Sequence, residues 1–197
     1  MNDPAATLAP QAWETLCEVR LRGTLLRPDP HHTGELELMG LVVRRGDLVA
    51  ITDAGRAAHA ARARIAPGSP EEAAAREVYQ RFGPLNARLL RLCTEWQLRP
   101  GGVPNDHSDP EYDIRILDRL TATLDCACAE LNRLAAVDAR FAGYADRLDA
   151  AMRRVDRGEH AWVASVTCDS VHSVWMLLHE ELLCALGVSR ADEQPVA

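Results

Sequence analysis

The sequence predicts a mainly α-helical protein in which a small N-terminal unit with one two-stranded hairpin precedes a larger helical bundle. Apolar residues recur at helical spacing through most of the 197 residues. Short β-rich runs stand at residues 41–44 and 48–52. A turn-rich segment then separates the two parts. We therefore predict four regions: a first domain at 1–65, a linker at 66–70, a helical bundle at 71–190 and a disordered tail at 191–197.

Local patterns define the elements of the N-terminal part. Residues 8–21 carry an apolar stripe at helical spacing, which predicts a first helix. A stretch with two prolines then predicts a loop, and Thr33 is placed to cap a short helix through Met39. The two β-rich runs form a hairpin around a glycine turn. A cap at Thr52 or Asp53 begins the next helix.

The second part reads as helices joined by short connections, which is the pattern of a bundle. Gly83 and Pro84 predict a break between two helices, and residues 99–110 predict a glycine- and proline-rich loop. Asp169 is a natural cap for the last helix. The predicted helices lie at residues 71–82, 84–97, 111–137, 141–155 and 169–186.

Composition excludes some functions and restricts others. All 22 basic residues are arginine, so no lysine is available for Schiff-base chemistry. The formal net charge is -7 and falls in the second part, so any contact with nucleic acid is expected from the neutral N-terminal third. No signal peptide and no apolar run of about 18 residues is present. We expect a cytoplasmic protein without membrane contact.

Residues 40–57 carry a recognisable pattern. It begins Gly-Leu-Val-Val, makes a turn, and continues Leu-Val-Ala-Ile-Thr-Asp-Ala-Gly-Arg from position 48. The pattern resembles the wing of winged-helix transcription regulators of the MarR and PadR type, over about residues 9–64. The resemblance implies a winged-helix-like unit in which Arg44 and Arg45 lie at the wing tip and contact double-stranded DNA.

The helix-turn-helix of this unit is truncated. Two helices and a turn need roughly twenty-five to thirty residues, but the segment from Gly23 to Gly40 is shorter and contains two prolines. The remaining candidate helix presents Glu35 and Glu37 and no basic residue. Two interpretations therefore stay open: a DNA-binding module, or a winged-helix unit used for packing, dimerisation or partner contact.

A polar cluster in the second part is the candidate ligand site. Asp113 falls on the same helical face as core residues, where a carboxylate must be paired or serve a site. His172, Trp175 and His179 share one face of the last helix. If these elements converge, they form a pocket with aromatic walls and a few polar groups. The predicted ligand-binding residues are Trp96, Asn105, His107, Asp113, His172, Trp175 and His179.

Other interpretations of the same residues remain. In one, Asp113 caps a helix or pairs with an arginine, and the histidines border the core. A metal site from His107, His172, His179 and a carboxylate would need convergence in space, because His-x6-His is not a standard ligand spacing. An acid–base enzyme would use His179 with Asp113.

We expect a winged-helix-type transcriptional regulator with a helical domain that senses a small molecule or mediates dimerisation, acting as a homodimer. The alternative is an enzyme that acts on a small organic metabolite by acid–base chemistry in the bundle pocket. In that case the winged-helix unit is only a structural part. No motif for a cofactor or a metal is present in the sequence, so none is predicted.

Overall fold

The computed structural model describes residues 8–189. It is mainly helical, with 68% helix, 8% strand and a small antiparallel sheet, which confirms the predicted class at that level. The described residues group into two compact units, one of residues 8–67 with 183–189 and one of residues 68–182. The predicted tail at 191–197 lies outside the described residues. Among the described helices, none is both long and apolar enough to cross a bilayer.

The N-terminal unit combines three helices with a three-stranded sheet. The strand order is β1-β3-β2 and both pairs are antiparallel. The predicted hairpin corresponds to β2 and β3, whereas β1 has no counterpart in the sequence-based prediction because three residues are too few to show alternation. Its elements are α1 (Pro10–Arg22), β1 (Thr24–Leu26), α2 (Pro30–Leu38), β2 (Val42–Arg45), β3 (Leu48–Ile51) and α3 (Asp53–Ala63).

Helix α2 begins earlier than predicted, because its cap is Asp29 and not Thr33. The Asp29 carboxylate accepts the His31 N–H at 2.9 Å, and Pro30 occupies the first helical position, where its missing N–H costs nothing. Thr33 lies inside the helix, fully buried, and its hydroxyl donates to the carbonyl of Asp29. The segment between β1 and β2 therefore contains this one helix.

The junction of β3 and α3 explains the Ile-Thr-x-x-Gly-Arg pattern structurally. Thr52 caps α3: its hydroxyl accepts the Gly55 N–H at 3.0 Å and donates to the carbonyl of Gly40 at 2.7 Å. Gly55 is buried, and a Cβ built on it would lie 2.0 Å from the carbonyl oxygen of Leu41. The threonine ties the helix to the preceding turn, and the glycine lets the two backbones approach.

The second unit is built from two long helices with shorter elements. The predicted break at Pro84 is wrong, because α4 runs through it without interruption. Pro84 lies on an exposed face, so water can satisfy the carbonyl that its ring leaves unpaired. Packing of α4 along α5 compensates for the lost hydrogen bond. The elements are α4 (Pro70–Gln97), β4 (Leu98–Arg99), β5 (Val103–Pro104), α5 (Pro110–Val137), a 3-10 turn (Ala139–Phe141), α6 (Tyr144–Val155), α7 (Ala161–Ala164) and α8 (Val171–Leu186). The last four residues of α8 belong to the first unit.

Two further predictions in this unit need correction. The expected loop at residues 99–110 contains the short antiparallel hairpin β4–β5, because Gly101 and Gly102 both take positive φ and close a tight turn. The last helix is capped by Ser170, whose hydroxyl accepts the Ser173 N–H at 3.1 Å. Asp169 instead forms an ion pair with Arg147.

Glu130 is a carboxylate on α5 with only 8% of its surface exposed. Burial acts to raise its pKa, but hydrogen bonds and charges from Arg81 and Arg133 outweigh burial and hold the pKa below its ordinary value. The Arg81 Nε atom lies 2.9 Å from one carboxylate oxygen, and Arg133 contacts the other. Because Arg81 belongs to α4, this cluster joins the two long helices.

We expect Glu130→Gln to lower the free energy of unfolding by about 1 kcal/mol at pH 7. The effect is this small because Arg81 and Arg133 are half-exposed, so solvent screens their ion pairs with Glu130. A depressed folded pKa contributes stability above the unfolded value and loses it as pH falls through the folded value. Urea unfolding should therefore show the full difference at pH 7 and a progressively smaller one as the pH falls through the folded pKa of Glu130. Glu111→Gln, at a carboxylate 91% exposed, is the control; an equal loss there would contradict a specific role for Glu130.

Candidate functional site

Asn105 organises the polar cluster between α4 and α5. Its Nδ2 group donates to the carbonyl of Trp96 at 3.1 Å and to Asp113 Oδ1 at 2.9 Å. Its Oδ1 atom accepts from Arg99 Nε at 3.0 Å and from the backbone N–H of His107 at 3.3 Å. Both amide hydrogens and both carbonyl lone pairs are therefore engaged, so the side chain has one defined position.

The β4–β5 hairpin brings Asn105 to this position. After the glycine turn the chain returns along the end of α4, and the Asn105 N–H donates to the carbonyl of Gln97 at 2.8 Å. Asp109 then caps α5 by accepting the Tyr112 N–H at 3.1 Å. The first turn of α5 places Asp113 below the loop, where only 6% of its surface is exposed. Because these residues are close in sequence, the polar cluster forms within one loop and the helix turn that follows it.

His107 is held by Asp113 in a defined tautomer. Its Nδ1 atom lies 2.9 Å from Asp113 Oδ2. Asn105 Nδ2 is also 3.2 Å from Nδ1, but its two hydrogens are used by Trp96 and Asp113. Nδ1 must therefore carry the hydrogen and donate it to the carboxylate, as a carboxylate accepts and cannot donate. The other ring nitrogen, Nε2, is then a bare acceptor in the neutral ring.

Nε2 of His107 is the open acceptor atom of this arrangement. It makes no hydrogen bond with the described residues, and it is not among their buried polar atoms without a partner, so solvent reaches it. The His107 backbone has φ +58°, a left-handed conformation that a non-glycine residue adopts at a cost. Asn105 and Asp113 stabilise this conformation through the contacts above. The loop thus fixes both the position and the hydrogen placement of the imidazole.

Aromatic rings surround the imidazole. The Trp96 ring centroid lies 4.4 Å from that of His107, and His160 lies 5.1 Å from His107 and 5.4 Å from Trp96. Trp96 is 3% exposed and forms the floor. Above it is an open cavity of about 320 Å³ with a mixed polar and apolar lining. The lining residues are Trp96, Gln97, Asn105, His107, His160, Ala161, Ala164 and Ser165.

Arg99 and Asp106 set the electrostatics of the loop. The Arg99 guanidinium lies 4.8 Å over the Tyr112 ring, and its Nη1 atom is 3.6 Å from Asp109. Its Nη2 atom is buried without a hydrogen-bond partner among the described residues. Hydrogen bonds from the Ser108 side chain and backbone hold the pKa of Asp106 below its ordinary value. The surface of the loop therefore carries charged side chains next to the cavity.

The structure does not bring all the predicted ligand residues together. Trp175 is fully buried, stacked on Phe82 at 4.7 Å, and its indole N–H donates to Asn86 at 2.9 Å. His179 also packs on Phe82, at 5.2 Å. Phe82 and Trp96 are fourteen residues apart on α4, about 20 Å of helical rise. The expected single pocket is therefore wrong: Trp175 and His179 belong to the core.

His172 and His160 lie in different surroundings. His172 is half-buried, and burial lowers its pKa, which favours the neutral ring; it does not line the Trp96 cavity. The proposed pair of His179 with Asp113 is replaced by His107 with Asp113. His160 was missed, because it precedes a helix of four residues and follows no periodic pattern. Only its distance to Trp96 in space identifies it.

The two arginines predicted for DNA contact differ in their surroundings. Arg44 points to the α2 side of the sheet, where its Nη2 atom lies 2.7 Å from Glu37 Oε1 and 2.7 Å from the Thr33 hydroxyl. It therefore joins β2 to α2. Arg45 is exposed at the hairpin end and has no hydrogen bond or ion pair with the described residues. Asp47, across the turn, forms an ion pair with Arg27.

The described residues contain no group of three or more histidine, cysteine or acidic side chains placed to hold a metal ion. Comparison of the chain with family models, curated proteins and solved structures finds no match. A carboxylate-oriented imidazole with an accessible Nε2 can accept a hydrogen bond from a bound molecule or accept a proton from it.

Proposed function

We propose that the protein is a ligand-responsive transcriptional regulator of winged-helix type, in which the helical unit binds a small organic molecule at the Trp96 cavity. The observation that carries the proposal is the preorganised His107. Asn105 and Asp113 are engaged with the loop and with each other, yet the imidazole keeps one acceptor for an outside partner. Preorganisation of this kind reduces the conformational entropy that is lost when a ligand binds.

The cavity restricts the ligand. Its volume of about 320 Å³ is at the lower end for small-molecule sites. The ligand should carry an N–H or O–H group, because Nε2 of a neutral His107 ring accepts a hydrogen bond. The ring of exposed His160 and the small side chains of Ala161 and Ala164 provide the neighbouring surface. A compact, flat molecule with one hydrogen-bond donor fits these features best.

The N-terminal unit supports the DNA-binding part of the proposal through its hairpin. Arg45 stands at the exposed end of β2 and its side chain forms no ion pair within the described part of the chain, so its charge is available to phosphate. A ligand that prefers one arrangement of the helical unit would shift DNA affinity.

The test is DNA binding by the purified protein at 50 and 200 mM salt, with its own upstream region against a random duplex. We expect specific, salt-dependent binding, and Arg45→Gln should weaken it and reduce the salt slope by about one. Arg88→Gln, at an exposed arginine on α4, is the control and should change nothing. If the duplexes are not distinguished even at low salt, the regulator proposal is wrong.

A second candidate function is favoured by the tautomer of His107. Nδ1 donates to Asp113, which leaves Nε2 as a general base of the kind used for proton abstraction from a small organic metabolite. In this enzyme the N-terminal unit is structural. Deuterium exchange into candidate metabolites, followed by mass spectrometry, tests it: wild type should catalyse exchange and His107→Gln should not. Equal exchange by both proteins would exclude the base.

A further inference from the structure

A second cavity lies in the N-terminal unit, on the exposed side of α3. It has a volume of about 630 Å³, roughly twice that of the Trp96 cavity. Among the described residues, three arginines and no acidic residue line it, although the chain as a whole is acidic. The lining residues are Arg20, Arg56, Ala57, Ala60, Ala61, Arg64, Leu183, Cys184, Gly187, Val188 and Ser189.

Arg64 is the clearest element of this arginine cavity. Within residues 8–189 its guanidinium makes no hydrogen bond and no ion pair. It lies flat against Gly187, where a Cβ would stand 2.9 Å from the guanidinium carbon. Gly187 has φ +63° and offers this bare surface because it lacks a side chain. The guanidinium is thus positioned by packing, with its five N–H donors open to another partner.

Arg56 is engaged only weakly. Its Nε atom lies 3.4 Å from a carboxylate oxygen of Asp53, a side chain that is wholly exposed. A second contact, from Nη2 to the carbonyl of Ile51, is also 3.4 Å long. Ion pairs of this length and exposure contribute little. An anion in the cavity could engage the Arg56 guanidinium at small cost.

The wall between the arginines is small and apolar. Ala57 lies one turn before Ala60 and Ala61, and all three are exposed on α3. Leu183 and Val188 add apolar side chains to the lining. Guanidinium groups that share an apolar concave site repel one another, and a bound anion removes that repulsion. The combination therefore matches a molecule with negative groups and a compact carbon skeleton.

We propose that the arginine cavity binds a small organic anion carrying two or three negative charges, as phosphate or carboxylate groups. Arginine recognises both groups through paired N–H donors. The negative groups bind Arg56 and Arg64, with Arg20 at the cavity edge, and the skeleton rests on the alanines. A concave site with this wall suits a small molecule better than duplex DNA, whose phosphates lie on a convex surface. This site is independent of His107 and does not depend on the regulator proposal.

Isothermal titration of the full chain with pyrophosphate and with citrate tests the proposal and separates phosphate from carboxylate selectivity. We expect saturable one-to-one binding of at least one anion, weakened tenfold or more by Arg56→Gln with Arg64→Gln. Both arginines are exposed, so the variant should fold, which circular dichroism checks. Arg88→Gln together with Arg91→Gln, two exposed arginines on α4, matches the change in charge and should leave the affinity unaltered.

Three results would overturn the proposal. The first is an absence of binding of either anion at millimolar concentration. The second is an equal loss of affinity in the α4 double variant, which would mean general charge attraction. The third is that Arg56→Gln with Arg64→Gln abolishes binding of a DNA duplex while neither small anion binds to wild type. In that last case the cavity would be a nucleic-acid contact.

Discussion

Gly55→Ala is expected to destabilise the N-terminal unit by about 3 kcal/mol or more, which places it among the severe single substitutions. The added Cβ would meet the carbonyl oxygen of Leu41 at 2.0 Å and the Ile51 side chain at 2.9 Å. The first of these is backbone and cannot move away as a flexible side chain can. The change also disrupts the Gly55 N–H bond that caps α3 through Thr52.

Amide hydrogen exchange of residues 10–63 measures the effect without assuming that the chain unfolds in one step. Gly34→Ala is the matched control, because Gly34 lies inside α2 and a Cβ there meets nothing within 4 Å. Alanine at that position should be neutral or stabilising by about 0.5–1 kcal/mol. If both alanines have the same effect, close packing at the junction of β3 and α3 is not the reason for the glycine.

Asn105→Ala is expected to cost about 2–4 kcal/mol and to release the loop at residues 98–109. The substitution removes a side chain that makes four hydrogen bonds, and it leaves Asp113 Oδ1 and the carbonyl of Trp96 without those donors. His107, whose left-handed backbone is stabilised by the same amide, should then relax. We expect faster amide exchange in this loop and a lower midpoint of urea unfolding.

The control is Asn132→Ala, at an exposed position inside α5. Alanine is the better helix former, so this variant should be as stable as wild type or slightly more so. The hydrogen-bond account of Asn105 fails if Asn105→Ala unfolds at the same urea concentration as Asn132→Ala and its loop keeps wild-type protection.

Regular elements of the fold were predictable where many residues repeat one pattern. Helix α5 shows apolar periodicity over its whole length, and the β2–β3 hairpin has β-rich runs on either side of a glycine turn. Pro84 shows the limit of local rules, because packing of α4 on α5 stabilises a helix that the sequence divides in two. Strand β1 depends wholly on its pairing with β3, which no local pattern reveals.

The candidate site was predictable in the part where the residues are close in sequence. Asn105, His107 and Asp113 fall in one loop and the helix turn that follows, so a polar cluster there could be expected. Trp175 and His179 also showed a shared face, but a face alone does not say which point along a 28-residue helix it meets. Here it meets Phe82, far from Trp96 along α4.

The charge of a residue also did not predict its partner. Arg44 and Arg45 are neighbours at the hairpin, and strand alternation places them on opposite faces of the sheet. Arg44 therefore meets Glu37 of α2, whereas Arg45 faces solvent. Glu37, one of the acidic side chains that argue against DNA contact by α2, thus has a structural use.

The arginine cavity was not apparent from the sequence, because its residues come from α1, α3 and the end of α8 and the segments that follow them.

The most direct measurement on the candidate site is the tautomer of His107, read from long-range ¹H–¹⁵N correlations of histidine-labelled protein at about pH 8, where unperturbed histidine is neutral. His107→Gln assigns the signals, and Asp113→Asn provides the reference in which an amide can donate to Nδ1. We expect wild-type His107 to carry its hydrogen on Nδ1, leaving Nε2 as the acceptor for a ligand or a proton. A hydrogen on Nε2 in wild type would contradict the hydrogen bond to Asp113 and, with it, the site proposed for ligand binding and for catalysis.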